Sequence, residues 1–314
     1  MTEPLVSILI PLYNAERFIA DTVERCLAQS YANIEIIIVD DHSTDRSLAR
    51  ARALESDRVH VYENPLKGGN SARNHAFRML RGEYVKFLDA DDYCSPTMIE
   101  KQLQRLLADG TSDSVVFSPV RMYYANEDRW LQPPHSIEHD YTPAIELLLD
   151  IWRGKGWRCP HCHMMHRSLV EKAGLWDETV LKNQDGEFFA RIYAAADKAL
   201  SVPDEYAVWT QQADGVHTKK SLAAVESAAT TLGLIARLIL DYRDDMETRR
   251  ICNRYFGGFL YENYADNPDM WPQFKALADA LGLRPTLPRR RILRLLRMMM
   301  GWRLALRTLK KINV

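Results

Sequence analysis

The chain is short of the features that mark the special classes of protein. Its 314 residues hold only five cysteines, at 26, 94, 159, 162 and 252; this odd number in a long chain excludes a disulfide framework and fits reduced thiols. Fourteen glycines and fourteen prolines are too few for a collagen-like or low-complexity chain, and 46% hydrophobic against 26% charged residues exclude disorder. The longest charge-free stretch, Pro4 to Ala15, is twelve residues long and contains Pro11. That falls short of the roughly 20 apolar residues that span a bilayer, so no transmembrane helix is expected. No Lys or Arg precedes this stretch, so it does not read as a secretory signal, and residence in the cytoplasm is expected. Acids are missing from residues 284–314, which carry eight Arg and two Lys, whereas the first 283 residues hold 31 basic and 42 acidic groups, a balance of −11. An acidic body thus ends in a basic tail of the kind that meets anionic surfaces. The acidic body would repel nucleic acid, which leaves lipid as the expected partner and excludes nucleic acid.

What is present alternates. The β-branched runs Val6 to Ile10, Ile34 to Val39, Val59 to Tyr62, Tyr84 to Leu88 and Val115 to Phe117 predict strands, and helical spacing predicts helices over 15–29, 44–55, 70–81 and 96–108. The order predicts an α/β fold with a Rossmann-like, mostly parallel sheet flanked by helices. In such sheets ligands bind beyond the carboxyl ends of the strands. Residues 120–165 show no predictable element, and His166 to Glu178 reads as a loop leading into a helix that starts near Asp185. Residues 219–241, 244–265 and 270–281 read as helices, so a helical C-terminal region is expected.

Polar residues follow each strand. Pro11-Leu-Tyr-Asn14 and Glu16 follow the first, Asp40-Asp-His-Ser-Thr-Asp45 the second and Asp89-Ala-Asp-Asp92 the fourth, while Lys67-Gly-Gly-Asn-Ser-Ala-Arg-Asn74 opens the third helix. Acids, a ring that can stack and a basic loop therefore converge on one edge.

These loops carry a family resemblance. Val6-Ser-Ile-Leu-Ile-Pro-Leu-Tyr-Asn14, Ile38-Val-Asp-Asp-His-Ser-Thr-Asp45, Gly69-Asn-Ser-Ala-Arg-Asn74, Gly82-Glu-Tyr-Val-Lys-Phe-Leu-Asp-Ala-Asp-Asp92 and Gly174-Leu-Trp-Asp-Glu178 with Gln184-Asp185 occur in the order and spacing of the family 2 glycosyltransferases, which have the glycosyltransferase A fold. The chain resembles that family over roughly residues 5–215. The resemblance implies a catalytic domain over 1–218, with its nucleotide-binding half at about 1–120 and its acceptor half at about 121–218, followed by a helical region over 219–314. Three departures stand out: His42 replaces the usual Gly, Gln184 precedes Asp185 where Glu is commoner, and the Gln-x-x-Arg-Trp motif of processive synthases is missing. The last argues for transfer of single sugars.

Transfer from a nucleotide diphosphate sugar needs the charge of the leaving diphosphate neutralised. Carboxylates holding a divalent cation do this, and hard oxygen ligands select Mg²⁺ or Mn²⁺. Asp89 and Asp91 are the candidate metal ligands; the resemblance gives Asp91 the metal and puts Asp89 near the ribose or the metal shell. Tyr13 can stack on a nucleobase and Asp41 can accept from its ring N–H, with Pro11 shaping the pocket. Asn14, Glu16 and Ala90 complete the expected donor-binding set. Arg73, forked and always charged, is expected to pair with the diphosphate or with Asp89. The acceptor hydroxyl must lose a proton as it attacks the anomeric carbon, and Asp185 matches the family's base position. His217 is a further candidate for metal or diphosphate contact, weighed against an ordinary surface histidine.

Two features fall outside that scheme. Cys159-Pro-His-Cys-His163, with His166, holds half of a zinc pattern but lacks the usual second pair, so a core strand is the preferred reading. The tail splits at Gly301. Arg290, Arg294 and Arg297 share one helical face with Leu295, Leu296 and Met299 opposite; beyond Trp302, Arg303, Arg307 and Lys310 share a side away from Leu306 and Leu309. Two short basic amphipathic helices suit a membrane interface, the competing reading being packing on the protein's own body. Together these readings predict a metal-dependent inverting glycosyltransferase. It would move one sugar from a nucleotide diphosphate sugar, a uridine one, to a glycan or lipid-linked acceptor in cell-surface polysaccharide or lipopolysaccharide assembly, at the inner face of the cytoplasmic membrane. The alternatives are a sugar nucleotidyltransferase, whose glycine-rich basic loop after the first strand is missing here, and a non-catalytic scaffold, which would not need the retained carboxylates.

Overall fold

The computed structural model describes residues 3–133, 136–211, 221–288 and 291–311. His217 and Arg290, and the side chains of Arg294, Leu295 and Arg297, lie outside the description. The chain forms two compact units, one of residues 1–179 with 188–215 and one of 180–187 with 216–314.

The first unit begins β1 (Val6–Leu12), α1 (Ile19–Leu27), β2 (Ile34–Asp40), α2 (Ser47–Arg52), β3 (Val59–Glu63), α3 (Gly69–Met79) and β4 (Tyr84–Phe87). It continues through β5 (Tyr93–Cys94), α4 (Met98–Asp109), β6 (Ser114–Phe117), β7 (Val120–Tyr124), β8 (Arg129–Leu131) and α5 (Ile145–Arg153). A 3₁₀ turn over Pro160–Cys162, β9 (His163–His166), α6 (Arg167–Ala173), α7 (Gln184–Ala195), β10 (Lys198–Ser201) and β11 (Ala207–Gln211) follow, α7 starting in the second unit. The large sheet has the order β10-β6-β9-β4-β1-β2-β3, parallel except where β9 runs antiparallel between β4 and β6. A smaller sheet, β5-β11-β7-β8, stands beside it. Every residue of β2 is buried, as expected of a strand covered on both faces.

The core strand preferred at the cysteine–histidine cluster is present as β9, in a stretch where the pattern was weakest. β9, His-Met-Met-His, has no β-branched residue to mark it, yet its middle methionines are fully buried between two strands. The stretch expected as a loop after His166 holds α6, whose first turn is capped by His166 Nδ1 accepting from the Ser168 amide at 3.3 Å.

A buried carboxylate ties the start of the sheet together. Glu35 on β2 accepts from Ser7 Oγ at 2.6 Å, from the amides of Arg81 and Gly82 at 2.6 and 3.1 Å, and from Arg81 Nε at 2.8 Å. A Cβ on Gly82 would lie 2.5 Å from Ser7 Oγ and 2.7 Å from the Leu5 carbonyl, so only glycine lets the chain enter β4 this closely.

The second unit holds α8 (Leu222–Tyr242), α9 (Met246–Asn263), α10 (Trp271–Ala280) and α11 (Arg291–Lys311). Ser221 and Asp245 cap α8 and α9 by accepting from the amides of Ala224 and Thr248. α8 is long and apolar enough to cross a membrane by length and composition, which the charge-free-run argument did not detect. Its buried Val225, Leu232, Ile235 and Ile239 account for that apolarity by packing inside the unit. α11 breaks at Gly301 (φ 74°, ψ 165°), where the sequence pattern changes face. Beyond the break the tail docks on its own unit: Ala305, Leu306 and Leu309 are buried, Trp302 packs on Tyr264 and Trp271, Arg303 lies over the Trp271 ring and Lys310 pairs with Asp266. Self-packing therefore holds for the apolar side of this half of the tail, while Arg303, Arg307 and Lys310 stay exposed on the other side. Before the break Met298 and Met299 are 78% and 80% exposed.

Burial alone would raise the pKa of Glu35, but the hydrogen bonds from Ser7 and Arg81, and the Arg81 charge, outweigh it and hold the carboxylate below its usual range. Stability from Glu35 is therefore present above the unfolded value of about 4.3 and is lost as pH falls through the lowered folded value. Glu35→Gln is expected to flatten the acid limb of the stability curve, read by urea unfolding from about pH 6 to about pH 3.

Candidate functional site

The loops after β1 and β2 brace one another. The Asp41 amide donates to the Leu12 carbonyl at 2.7 Å, and Asn14 Oδ1 accepts from the Thr44 amide at 2.8 Å while the Asn14 amide donates to Ser43 Oγ. The Arg46 amide donates to Glu16 Oε2 at 2.9 Å. Asn14 and Glu16 thus use their side chains to join the two loops, and Tyr13, between two braced positions, stays 45% exposed. Pro11 is half-buried at the end of β1.

Asp41 is buried and its Oδ1 accepts from Asn64 Nδ2 at 2.8 Å and from the Gly68 amide at 2.7 Å. One carboxylate oxygen thereby joins the ends of β2 and β3 to the glycine loop that opens α3. On α3, Arg73 Nη2 donates to Asp89 Oδ1 at 2.7 Å, and its guanidinium lies 4.7 Å from the centre of the Trp176 ring. The expected pairing of Arg73 with Asp89 is therefore present, with Arg73 buried and Asp89 half-buried.

The turn after β4 is pinned from below. The Ala90 carbonyl accepts from Thr22 Oγ1 at 2.9 Å, and the Asp92 amide donates to the Asp89 carbonyl at 3.1 Å. Asp89 and Asp91 are both half-buried on this turn. Asp92, by contrast, is buried; its Oδ1 accepts from the Thr210 amide at 2.7 Å and its Oδ2 lies 3.4 Å from His161 Nδ1. Burial first, then the charges of Asp91 and Asp89, push the Asp92 carboxyl well above the usual range.

Sequence reasoning passed over Asn70, Asn74 and Asp92. Asn74 Nδ2 donates to the Trp176 carbonyl and to Glu178 Oε1, its Oδ1 accepts from the Trp176 amide, and Asn70 Nδ2 donates to the Asp177 carbonyl. The signal was the i, i+3, i+4 spacing of Asn70, Arg73 and Asn74, which puts all three on one face of α3.

In the second unit, Asp185 is the second residue of α7 and is half-buried; Glu187 is buried. A carboxylate in a helix's first turn is favoured by the free amides there. The entry is shaped by Asn183 (φ 62°), whose Nδ2 donates to Thr231 Oγ1 at 3.1 Å, and a Cβ on Gly186 would overlap the Asn183 side chain.

The cysteine–histidine cluster does not converge. His163 Nε2 meets the Tyr193 hydroxyl at 2.6 Å and His166 turns to Ser168, away from Cys159 and Cys162. Among the described residues no group of three or more His, Cys, Asp or Glu is arranged to hold a metal by itself.

The sequence model of glycosyl transferase family 2 matches residues 7–174, a stretch running from β1 through α6 that holds Asp41, Arg73 and Asp89. The chain belongs to glycosyl transferase family 2. Relatives include the uncharacterized glycosyltransferase EpsJ of Bacillus subtilis (strain 168), 29% identical over 211 residues, 62% of this chain and 58% of EpsJ. The UDP-Glc:alpha-D-GlcNAc-diphosphoundecaprenol beta-1,3-glucosyltransferase WfaP of Escherichia coli is 40% identical over 125 residues, 40% of this chain and 48% of WfaP. The chain thus spans about half the length of these relatives. The crystal structure of S. aureus TarS 1–349 in complex with UDP-GlcNAc matches with a TM-score of 0.73 and 18% identity over 98% of this chain and 91% of that one, a shared fold. As a family 2 chain it departs at His42, where φ is 61°: the position takes a left-handed backbone that glycine adopts more readily.

Arg73→Lys keeps the charge but loses the fork that reaches Asp89 while lying over Trp176. It is expected to cost roughly 1–3 kcal/mol in urea unfolding, and recovery of the full wild-type midpoint would show that the pair contributes nothing.

Proposed function

We propose that this chain is a metal-dependent inverting glycosyltransferase that moves one sugar from a uridine diphosphate sugar to a glycan or lipid-linked acceptor in cell-surface polysaccharide or lipopolysaccharide assembly. The observation that carries the reading is the linked set Asp41, Arg73 and Asp89, at the carboxyl ends of β2 and β4 and on the helix between them. Two named relationships support the donor and setting: WfaP is a UDP-Glc-dependent enzyme acting on a diphosphoundecaprenol acceptor, and TarS was crystallised with UDP-GlcNAc. The missing Gln-x-x-Arg-Trp motif supports single transfers.

The carboxylates suit Mg²⁺ or Mn²⁺. Asp89 and Asp91 offer hard oxygens on one turn, and such ions are commonly held by one or two carboxylates together with the phosphates of a substrate. Bound there, the cation would neutralise charge on the leaving diphosphate. The chain's own residues do the rest. Tyr13 stacks on the base and the Asp41 carboxylate accepts from its ring N–H, while Pro11 walls the pocket. Asn14 and Glu16 serve this pocket by holding its two loops in register, and Ala90 sets the height of the turn through its carbonyl. Arg73 orients Asp89 and faces the diphosphate. Asp185 takes the proton of the acceptor hydroxyl as that oxygen bonds to the anomeric carbon. The bond from that carbon to the diphosphate oxygen breaks from the opposite face, which inverts the configuration. His217 remains a candidate second contact for the metal or diphosphate.

Asp185→Asn is expected to abolish transfer while leaving nucleotide affinity near wild type, since the base acts on the acceptor. Asp91→Asn is expected to lose the metal-dependent part of donor binding. Equal loss of donor binding in both variants would overturn the role assignment.

The tail suits an anionic bilayer surface at the inner face of the cytoplasmic membrane. Residues 284–314 carry eight Arg and two Lys without an acid, and Met298 and Met299 are exposed before the break at Gly301. In vesicle flotation the protein is expected to rise with phosphatidylglycerol vesicles and to stay down with phosphatidylcholine ones, and Met298→Asp with Met299→Asp should weaken the flotation. Equal behaviour on both vesicles would contradict the assignment.

A further inference from the structure

We propose that Cys159 and Cys162 form a redox-active dithiol which hydrogen peroxide closes to an intramolecular disulfide. Both belong to the first unit, at the 3₁₀ turn over Pro160–Cys162 that delivers the chain into β9. Their sulfurs lie 2.9 Å apart, and a disulfide of about 2.05 Å needs them to approach by under roughly 1 Å. The turn itself is held: the Cys162 amide donates to the Cys159 carbonyl at 3.1 Å, and the Cys162 carbonyl accepts from Gln102 Nε2 at 2.8 Å and from the Ser118 amide at 3.1 Å. Backbone restraint of this kind keeps the sulfurs facing each other.

Electrostatics distinguish the two thiols. Burial alone would raise both. For Cys162 the hydrogen bond from the Cys159 thiol, the Arg158 charge and the Lys86 charge outweigh burial and leave it below the ordinary thiol value, whereas Cys159 is pushed up by burial. Cys162 is taken as the nucleophile and Cys159 as the resolving thiol, and the facing sulfurs serve the closure in either order. His161 and Asp92 line the other side of the turn, with Cys159 Sγ 3.3 Å from His161 Nε2. Burial pushes His161 down to about 4, so the ring beside the pair is neutral and adds no charge of its own.

The oxidant must be small and uncharged, because Cys159 is 5% exposed and Cys162 not at all. Burial of this degree shuts out a glutathione-sized disulfide, and peroxide, little larger than water, is the oxidant proposed. The Cys162 thiolate attacks one peroxide oxygen, the O–O bond breaks, and the departing hydroxide takes a proton to become water, leaving a sulfenic acid. The Cys159 sulfur then attacks the Cys162 sulfur, the S–S bond forms, the S–O bond breaks, and a second water leaves with the Cys159 proton. The two thiols lose two electrons and the peroxide gains them.

The test uses the full chain treated with hydrogen peroxide, unfolded, alkylated with N-ethylmaleimide and cut with trypsin. Cleavage after Arg158 and Arg167 releases both cysteines in one peptide, Cys159–Arg167. The expected result is that peptide unalkylated and lighter by two hydrogens, regaining two alkyl groups after reduction with a phosphine. Cys159→Ser should leave Cys162 as a sulfenic acid that dimedone traps. Conversion of the exposed Met298 and Met299 to sulfoxides reports that the oxidant acted. Two alkylatable thiols in a sample whose methionines are oxidised would overturn the proposal, as would sulfinic acids that the phosphine does not reverse. The readout involves no nucleotide or metal, so its failure would leave the glycosyltransferase reading untouched.

Discussion

Parallel pairing of β1 with β2 on one side and β4 on the other is the constraint on which the rest depends. The register sets Leu12 opposite Asp40 and Leu9 opposite Phe87, so the chain leaves the sheet at neighbouring points after β2 and β4. Asp41 and Asp89 occupy those exits. A slip of one residue would turn every side chain of a strand to the other face and move both carboxylates out of line. Glu35, the Ser7 hydroxyl and Gly82 fix that register from the opposite end of the strands. The amide of Asp41 on the Leu12 carbonyl then fixes it at the exits.

From this frame the polar network follows as bracing in layers. Asp41 holds the glycine loop, the loop positions α3, and α3 presents Arg73 to Asp89 with Asn70 and Asn74 gripping the segment around Trp176. Each carboxylate has one oxygen in structural use. Such partly committed groups are held in place by the fold before any ligand arrives, and in that sense the edge is preorganised.

How much of this was legible depended on whether a residue's role was local. Strands β1 to β4 and β6 were visible because β-branched runs mark a buried strand, and the acids after them were visible because loops past the carboxyl ends carry chemistry. A core strand at the cysteine–histidine cluster was the preferred reading and β9 is that strand, but its antiparallel place between β4 and β6 could not be read from two methionines between histidines. Asp92 looked like a third member of the acidic turn, but only the tertiary contact with Thr210 and His161 shows that it faces inward. The tail was half legible: the break at Gly301 could be read from the change of face, whereas the docking of Trp302 on Tyr264 and Trp271 joins residues far apart in the chain. α8 was legible as a helix from its spacing, whereas only its packing shows that the apolar side is spent on its own unit.

The central claim is that the edge formed by Asp41, Arg73, Asp89 and Asp91 takes a nucleoside diphosphate together with a divalent cation. Calorimetric titration of the purified chain with UDP, GDP, CDP and dTDP, each with and without Mn²⁺, tests it most directly. The account predicts saturable binding of UDP that requires the cation, with the other three markedly weaker. Absence of binding by all four, with or without Mn²⁺, would contradict it.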